Sequence, residues 1–199
     1  MRSKRCLVLL FLAAATTVIA QQMRYGVGRP ATSAEIRARD ITVLPDGAGL
    51  PLGHGTAEQG RTVFSAKCAG CHGERGQGTA DFPALAGGFW TLSSPNPNST
   101  VGSYWPYATT VWDYIHRAMP YQNPGSLTSD QIYSLTAYIL FLNKILGEHE
   151  ELNQKSLPKV KMPNHGGFVP DPRPDVLPAH LAMVPPAGRM TSLEPCNAD

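Results

Sequence analysis

The sequence contains few charged residues and no long run of either sign. Only 16% of its 199 residues are Asp, Glu, Lys or Arg, and the formal net charge is +2. A chain with this balance lacks the strongly basic face that binds nucleic acid and the charge blocks of an electrostatic tail. Beyond the N-terminus it also lacks an apolar run of the roughly 20 residues that a membrane-spanning helix requires. Neither a nucleic-acid partner nor an internal membrane span is therefore expected.

The first 20 residues have the pattern of a secretory signal peptide. Three basic residues, Arg2, Lys4 and Arg5, precede an apolar run that continues almost to Ala20. The alternative is an uncleaved anchor, but this run is shorter than a bilayer core requires. We therefore predict a signal peptide over residues 1–20, cleavage after Ala20 and export to the periplasm. Loss of three basic residues leaves the mature chain near neutral.

Cysteine is also scarce, and its placement narrows the class of protein. Of four cysteines, Cys6 lies in the signal peptide, and two others are spaced Cys68-Ala69-Gly70-Cys71 with His72 directly after. A disulfide, a redox-active pair or half of a zinc site are the alternatives, but a zinc site needs a second ligand pair that this sequence lacks. Two thiols and an adjacent imidazole at this spacing are typical of covalent haem attachment. The motif predicts one haem c, and Cys196 has no role in it.

Stretches rich in glycine and proline indicate which parts of the remaining chain are not helical. Residues 21–55 contain many of both and no sustained apolar period, which predicts an extended arm. Thr56 and Gln59 have capping-box form, so a helix is predicted from there into Cys68. Residues 73–108 are rich in Gly, Pro, Ser and Asn, and they predict loops with at most short helical turns.

Two further helices are predicted after these loops. One begins at the looser capping box of residues 110–113 and is stopped by Pro120. The other is capped by Thr128 and ends at Gly147. Their apolar residues recur at helical spacing. These residues are Val111, Ile115 and Ala118 in the first, and Ile132, Leu135, Ile139, Leu142 and Leu146 in the second.

The last 52 residues form a Pro-rich tail, residues 148–199, without a long apolar period. Such a segment cannot bury enough surface to fold alone, so we expect it to be disordered or laid along a surface. The predicted organisation is a signal peptide (1–20), an extended arm (21–55), a haem-binding domain (56–147) and this tail.

The helical region resembles the small class I cytochromes c. In that family a Gly and an aromatic residue on the first helix pack against a Leu-x-x-aromatic on the last helix. Gly60, Phe64, Leu135 and Tyr138 occupy the matching positions. The resemblance implies an all-α fold around one covalent haem.

Further residues of the haem site follow from the same resemblance. Residues 83–87 are similar to the family's Pro-x-Leu-x-Gly stretch. This implies that the Pro83 carbonyl accepts the Nδ1 proton of His72, which fixes the imidazole tautomer, and that Leu85 packs on the haem. The sixth ligand is predicted from the sequence itself: Met119 lies at the end of a predicted helix, directly before Pro120, and thioether sulfur is a soft ligand suited to haem iron. Its rivals are His116, Met23, Met162, Met183 and Met190.

Two filled axial positions predict the chemistry. Iron with six ligands leaves no site for oxygen or substrate, so one-electron transfer is the expected activity. No catalytic residues are expected on this chain. Four aromatic residues are candidates for the pocket wall, with ordinary core packing as the alternative: Tyr104, Trp105, Trp112 and Tyr121.

Seven segments are similar to the cytochrome c subunits of periplasmic sulfane and sulfite dehydrogenases of the sulfur-oxidising (Sox) pathway. They are residues 28–32, 45–51, 117–120, 124–128, 137–143, 162–164 and 170–175. The resemblance implies a molybdenum-containing subunit as electron donor, with a downstream cytochrome or oxidase as acceptor. The alternatives are a cytochrome that serves another periplasmic dehydrogenase or a terminal oxidase, and a haem-based ligand sensor.

Overall fold

A computed structural model describes residues 27–169, which fall into two compact units divided between Asp40 and Ile41. The predicted signal peptide, Cys196, the segment 170–175 and three of the rival methionines lie outside the described residues. Within residues 27–169, no helix has both the length and the apolar character needed to cross a membrane.

The first unit contains a short helix that the sequence analysis missed. Helix α1, Ser33–Arg39, begins with a capping box between Thr32 and Glu35. Arg29 binds the same carboxylate, with Nη1 and Oε2 2.9 Å apart. Arg29 first, and Thr32 second, lower the pKa of Glu35 to about 2. The prediction of an extended arm is wrong for residues 33–39, because local capping forms a helix that needs no apolar period.

Between residues 41 and 169, the second unit contains four α-helices and one small sheet. Helices α2 (Ala57–Lys67), α3 (Ala69–His72), α4 (Ala108–Ala118) and α5 (Ser129–Leu142) follow in chain order. Strands β1 (His54–Gly55) and β2 (Leu152–Asn153) pair antiparallel, and a 3₁₀ helix covers Leu157–Lys159. Residues 73–107 contain no helix, as predicted. The all-α fold class is confirmed.

Helices α2 and α5 cross at Gly60. A Cβ atom on Gly60 would overlap the Ser134 carbonyl, so only glycine permits this approach. Phe64 and Tyr138 fill the crossing edge to face, with ring centroids 5.2 Å apart. Both helices begin with a side-chain capping box, and α2 has the predicted one at Thr56. The predicted helix crossing is therefore present.

Two predicted helix boundaries are wrong. Helix α4 begins at Ala108 after Tyr107, without the predicted capping box of residues 110–113. Helix α5 ends at Leu142, before Gly147, because Lys144 takes a left-handed conformation (φ 56°). The Ile145 amide then donates to the Leu140 carbonyl and the Lys144 amide to that of Phe141, which closes a Schellman motif.

Segments on both sides of the helices belong to the core. We call residues 41–53 the N-terminal strap and residues 148–162 the C-terminal strap. The C-terminal strap buries Leu152, Leu157 and Met162, each at most 3% exposed. The prediction of a tail that is disordered or lies on the surface is therefore wrong for this strap. Its three buried apolar side chains lie five residues apart, a spacing that matches neither the helical nor the strand period.

The N-terminal strap holds helix α4. The Val43 amide donates to a carboxylate oxygen of Asp113 at 3.3 Å, and Arg117 donates to the Ile41 carbonyl at 3.0 Å. From the C-terminal strap, the 3₁₀ helix packs against the same helix α4. Helix α4 therefore contacts both straps, neither of which has a regular apolar pattern.

Candidate haem site

The Cys-x-x-Cys-His motif forms one tight turn at the end of helix α2. Cys68 ends α2 and begins α3, which continues through Cys71 and His72. The amides of Cys71 and His72 both donate to the Cys68 carbonyl, at 3.2 and 2.9 Å. Because α3 is one turn long, it brings both thiols and the imidazole to the same cavity.

The two thiols are not joined to each other. Cys68 and Cys71 are both free cysteines and partly buried. Burial, and next the neighbouring Cys71, raise the pKa of the Cys68 thiol to about 11. Reactive cysteines in redox-active pairs have lowered pKa values, since the thiolate is the nucleophile. The electrostatics therefore do not favour a dithiol oxidoreductase.

The His72 side chain is oriented by the backbone of the following loop. Its Nδ1 lies 2.9 Å from the Pro83 carbonyl oxygen and donates to it. The His72 carbonyl accepts from the Gly78 amide at 2.7 Å, and the Leu85 amide donates to the Gly76 carbonyl at 2.8 Å. With Nδ1 protonated, the lone pair on Nε2 is free to bind a metal ion.

An apolar cavity surrounds these residues. Each predicted site residue lines it: Cys68, Cys71, His72, Pro83, Leu85 and Met119. The other lining residues are mainly aliphatic and aromatic, among them Phe82, Val101, Trp105, Val111, Tyr114, Ile115, Tyr121 and Ile139. Thiols, an imidazole and a thioether in an apolar cavity suit a large apolar macrocycle with a central iron.

The structure separates Met119 from its described rivals. Met119 follows the last residue of helix α4 and lines the cavity. His116 does not line it and packs on Trp112, with ring centroids 5.0 Å apart. Met162, on the C-terminal strap, is buried in the hydrophobic core. Among residues 27–169, Met119 is therefore the one proposed sixth-ligand candidate that lines the same cavity as His72.

The aromatic candidates divide evenly between the cavity and other contacts. Trp105 and Tyr121 line the cavity, whereas Tyr104 and Trp112 do not. Tyr104 instead contacts Phe168, and Trp112 contacts Tyr133. Sequence reasoning missed Phe82 and Tyr114. Tyr114 lies three residues after Val111, so helical spacing alone could have placed it on the lining face.

A short helix that carries two thiols and a histidine, next to an apolar cavity that also contains a methionine, defines a class I c-type cytochrome. A family model described as "Cytochrome c" matches residues 57–143. A chain in the crystal structure of the sulfane dehydrogenase SoxCD from Paracoccus pantotrophus is 38% identical. That similarity covers 88% of this chain and 86% of the other, with a TM-score of 0.70. The chain belongs to the cytochrome c family.

A curated relative covers less of the chain. The cbb3-type cytochrome c oxidase subunit CcoP of Azospirillum sp. (strain B510) is 33% identical over 90 residues. The alignment covers 42% of this chain and 30% of that subunit, so the chain spans under a third of the relative's length. Membership of the cytochrome c family implies covalently bound haem c as the cofactor and electron transfer as the role.

Proposed function

We propose that this chain is the electron-accepting subunit of a periplasmic dehydrogenase for sulfane or sulfite compounds. The observation that carries the proposal is the extent of the similarity to a chain of the sulfane dehydrogenase structure. The cytochrome c family model matches residues 57–143, whereas the similarity to the sulfane dehydrogenase chain covers 88% of this chain. It therefore extends into segments that a general electron-carrier domain does not need.

Each residue of the site has a proposed part in holding the haem. Cys68 and Cys71 would form the thioether links, and His72 and Met119 would bind the iron. Bound haem c would supply a reversible one-electron couple. Pro83 keeps the His72 imidazole in the tautomer that leaves Nε2 free for iron. Leu85 and the other apolar residues of the cavity exclude water.

Oxidation of the sulfur compound then belongs to a separate subunit. With both His72 and Met119 bound to it, the haem iron would leave no open site for substrate, and it would supply one-electron transfer only. The similarity to the Sox dehydrogenases supports a molybdenum-containing subunit as the electron donor. A downstream cytochrome or oxidase is the acceptor in this proposal.

The first unit is the proposed contact with that donor. Helix α1 buries none of its residues, and its Ile36 side chain is 52% exposed. An isolated helix of seven residues gains little stability in water. A protein surface that covers Ile36 would stabilise it, and capping by Thr32 and Glu35 would lower the cost of ordering on binding. The chain beyond residue 169 is a second proposed contact.

Rapid-mixing kinetics can test the proposed donor. The oxidised cytochrome is mixed with the purified molybdenum subunit of the same organism's sulfane dehydrogenase, with and without substrate. Sulfite serves as one substrate and a sulfane compound as the other. We expect haem reduction only with subunit and substrate together. If substrate reduced the haem no faster with the molybdenum subunit than without it, the proposal would be contradicted.

A truncation can test the second contact. A cut at residue 150 would remove the buried Leu152, Leu157 and Met162, so its effect on binding would be mixed with loss of stability. Removal of residues 170–199 leaves both straps intact. We expect the visible spectrum to be unchanged and co-purification with the molybdenum subunit to weaken. Equal recovery by both forms would refute this contact.

Export can be tested separately. N-terminal sequencing of the protein from the periplasmic fraction should begin at Gln21. A chain that retains residues 1–20 would contradict cleavage.

An oxidase-linked cytochrome is a second candidate function. The 33% identity to CcoP, a subunit of a cytochrome c oxidase, favours it. That similarity covers 42% of the chain, so it supports the general cytochrome domain rather than the flanking segments. Rapid reoxidation by a purified oxidase, without reduction by the sulfur dehydrogenase, would favour this function. A ligand sensor, the remaining alternative, requires an open axial position that binds carbon monoxide in the unmodified protein.

A further inference from the structure

A long stretch of the second unit carries no charge. Residues 82–112 contain no Asp, Glu, Lys, Arg or His, and we call them the neutral segment. Several residues of the segment, among them Leu85 and Val101, line the haem cavity. A surface built from this segment cannot attract a partner by opposite charge.

Trp90 is the most exposed large apolar residue of the neutral segment. Its side chain is 96% exposed, the largest value among the exposed large apolar residues of residues 27–169. Its backbone is left-handed, with φ 65°. A bulky residue is disfavoured in that conformation, and glycine is the residue that adopts it without strain. The loop therefore holds a large apolar side chain in solvent on a backbone that does not suit it.

The loop around Trp90 is fixed by hydrogen bonds. The Thr91 hydroxyl donates to the Gly88 carbonyl at 2.7 Å and accepts from the Asn98 amide at 3.0 Å. The Thr100 hydroxyl donates to the Gly87 carbonyl at 2.6 Å. Strained backbone persists where the surrounding structure determines it, and such residues cluster at functional sites. The position of Trp90 is thus built into the loop.

The base of the loop is part of the haem site. The Val101 amide donates to the Leu85 carbonyl at 3.3 Å, and both residues line the cavity. The buried Asn143 on the end of helix α5 also donates to the Leu85 carbonyl and accepts from the Gly87 amide, at 3.0 and 3.1 Å. A protein bound to this loop would therefore contact a segment that is continuous with the cavity wall.

We propose that Trp90 is the anchor by which this chain docks on the electron-donating dehydrogenase subunit, with its indole in an apolar pocket of an uncharged partner surface. This inference rests on the proposed function. Tryptophan is enriched among the few residues that dominate binding at protein interfaces. A rigid loop reduces the ordering cost of binding. The neutral segment selects a partner patch without charge, because an unpaired charge on that patch would lose its hydration on contact.

The test compares two substitutions at Trp90 with one control. Trp90→Ala and Trp90→Gly both remove the indole, while glycine also suits the left-handed backbone. Leu52→Ala is the matched control, since Leu52 is another apolar residue of the second unit, 81% exposed. Binding of each holoprotein to the purified molybdenum subunit of the same organism's sulfane dehydrogenase is measured by calorimetry at low and high salt.

Both Trp90 variants should bind roughly 30-fold more weakly, the size of an interface hot spot. Leu52→Ala should bind like the unmodified protein. The loss caused by the Trp90 substitutions should be the same at both salt concentrations. The haem spectrum and potential should not change, and Trp90→Gly should melt no lower than Trp90→Ala.

Four results would overturn the proposal. Unchanged affinity of the Trp90 variants would refute the anchor and leave the proposed function standing. A loss of affinity that disappears at high salt would refute the uncharged contact. If sedimentation showed that Trp90→Ala breaks a dimer of this chain without weakening the heterocomplex, the occupant would be a second copy. Failure of the unmodified protein to bind the molybdenum subunit would overturn both this inference and the proposed function.

Discussion

The two parts of the haem site are held in different ways. In the proximal part, residues 68–85, the loop closes on itself through bonds from His72 to Pro83, from Gly78 to His72 and from Leu85 to Gly76. In the distal part, residues 114–122, the Met119 amide donates to the Ile115 carbonyl, the last turn of helix α4. The position of Met119 therefore depends on what holds helix α4.

Because of this difference, we expect the two parts to have different effects on the haem. The proximal part is organised by its own backbone, so it can present the thiols and the imidazole together. The distal part depends on tertiary contacts of helix α4, which packs against helix α5 and is also held by the two straps through Ile41, Val43 and the 3₁₀ helix. We expect proximal changes to decide whether haem is attached, and distal changes to decide how the attached haem behaves.

The largest expected effect is at the proximal thiols. Cys68→Ser together with Cys71→Ser should abolish covalent attachment, because serine forms no thioether. Acid-acetone extraction should then remove all colour from the variant and leave it on the unmodified protein, with one haem iron per chain. Cys196→Ser is the control and should retain its haem. Colour that stays on the double variant would contradict the assignment.

The second effect is at the distal ligand. Met119→Ala should keep the covalent haem, bind carbon monoxide when reduced, and have a potential lower by on the order of 0.1 V, since methionine ligation raises the potential. His116→Ala, at a residue that does not line the cavity, is the control. If the control acquired carbon monoxide binding and Met119→Ala did not, the ligand assignment would be wrong.

A third change weakens the support of helix α4 from the C-terminal strap. Leu157 is fully buried in the 3₁₀ helix that packs on α4. Leu157→Ala should lower the free energy of unfolding by about 2–5 kcal/mol, because it leaves a cavity. Val169→Ala, at a side chain that is 83% exposed, should change it by less than about 0.5 kcal/mol. Equal unfolding midpoints in urea would show that the strap is not part of the core.

The smallest expected effect concerns Tyr133 on helix α5, whose ring contacts Trp112 of α4 and whose hydroxyl donates to the Pro51 carbonyl at 2.9 Å. Tyr133→Phe should cost about 1 kcal/mol for that hydrogen bond. Burial raises the pKa of Tyr133 to about 12 from 10, so folding favours the neutral phenol. The contribution of the neutral Tyr133 phenol to the stability of the fold is complete below pH 10 and is lost as the pH rises through 12. Thermal melts should show that part of the alkaline destabilisation disappears in the variant, and an identical pH profile would contradict this.

The same contrast explains how much of the fold the sequence could predict. Helices α2 and α5 begin where capping boxes predict them, because a capping box joins residues three apart. Helix α4 has no side-chain cap, and its first residue was misplaced. The straps were missed because they contribute isolated side chains, such as Val43 and Leu157, whose burial depends on distant helices.

The haem site shows the same limit. Cys68, Cys71 and His72 were predictable, because covalent attachment requires them to be contiguous in sequence. The Pro83 hydrogen bond followed from the family resemblance, and the choice of Met119 followed from its place at the end of a predicted helix before Pro120. Tyr114 was not predicted, although its helical spacing from Val111 indicates the lining face, and Phe82 was not predicted because it lies in a loop without a regular apolar pattern. The part of the site with local order was therefore the easier part to predict.

The most direct test of the central claim is the weak long-wavelength sulfur-to-iron charge-transfer band of the oxidised protein. This band requires a methionine sulfur on ferric haem. We predict that the unmodified protein and His116→Ala have it, that Met119→Ala lacks it, and that the covalent haem is present in all three. Absence of the band from the unmodified protein, or its survival in Met119→Ala, would contradict a haem held between His72 and Met119.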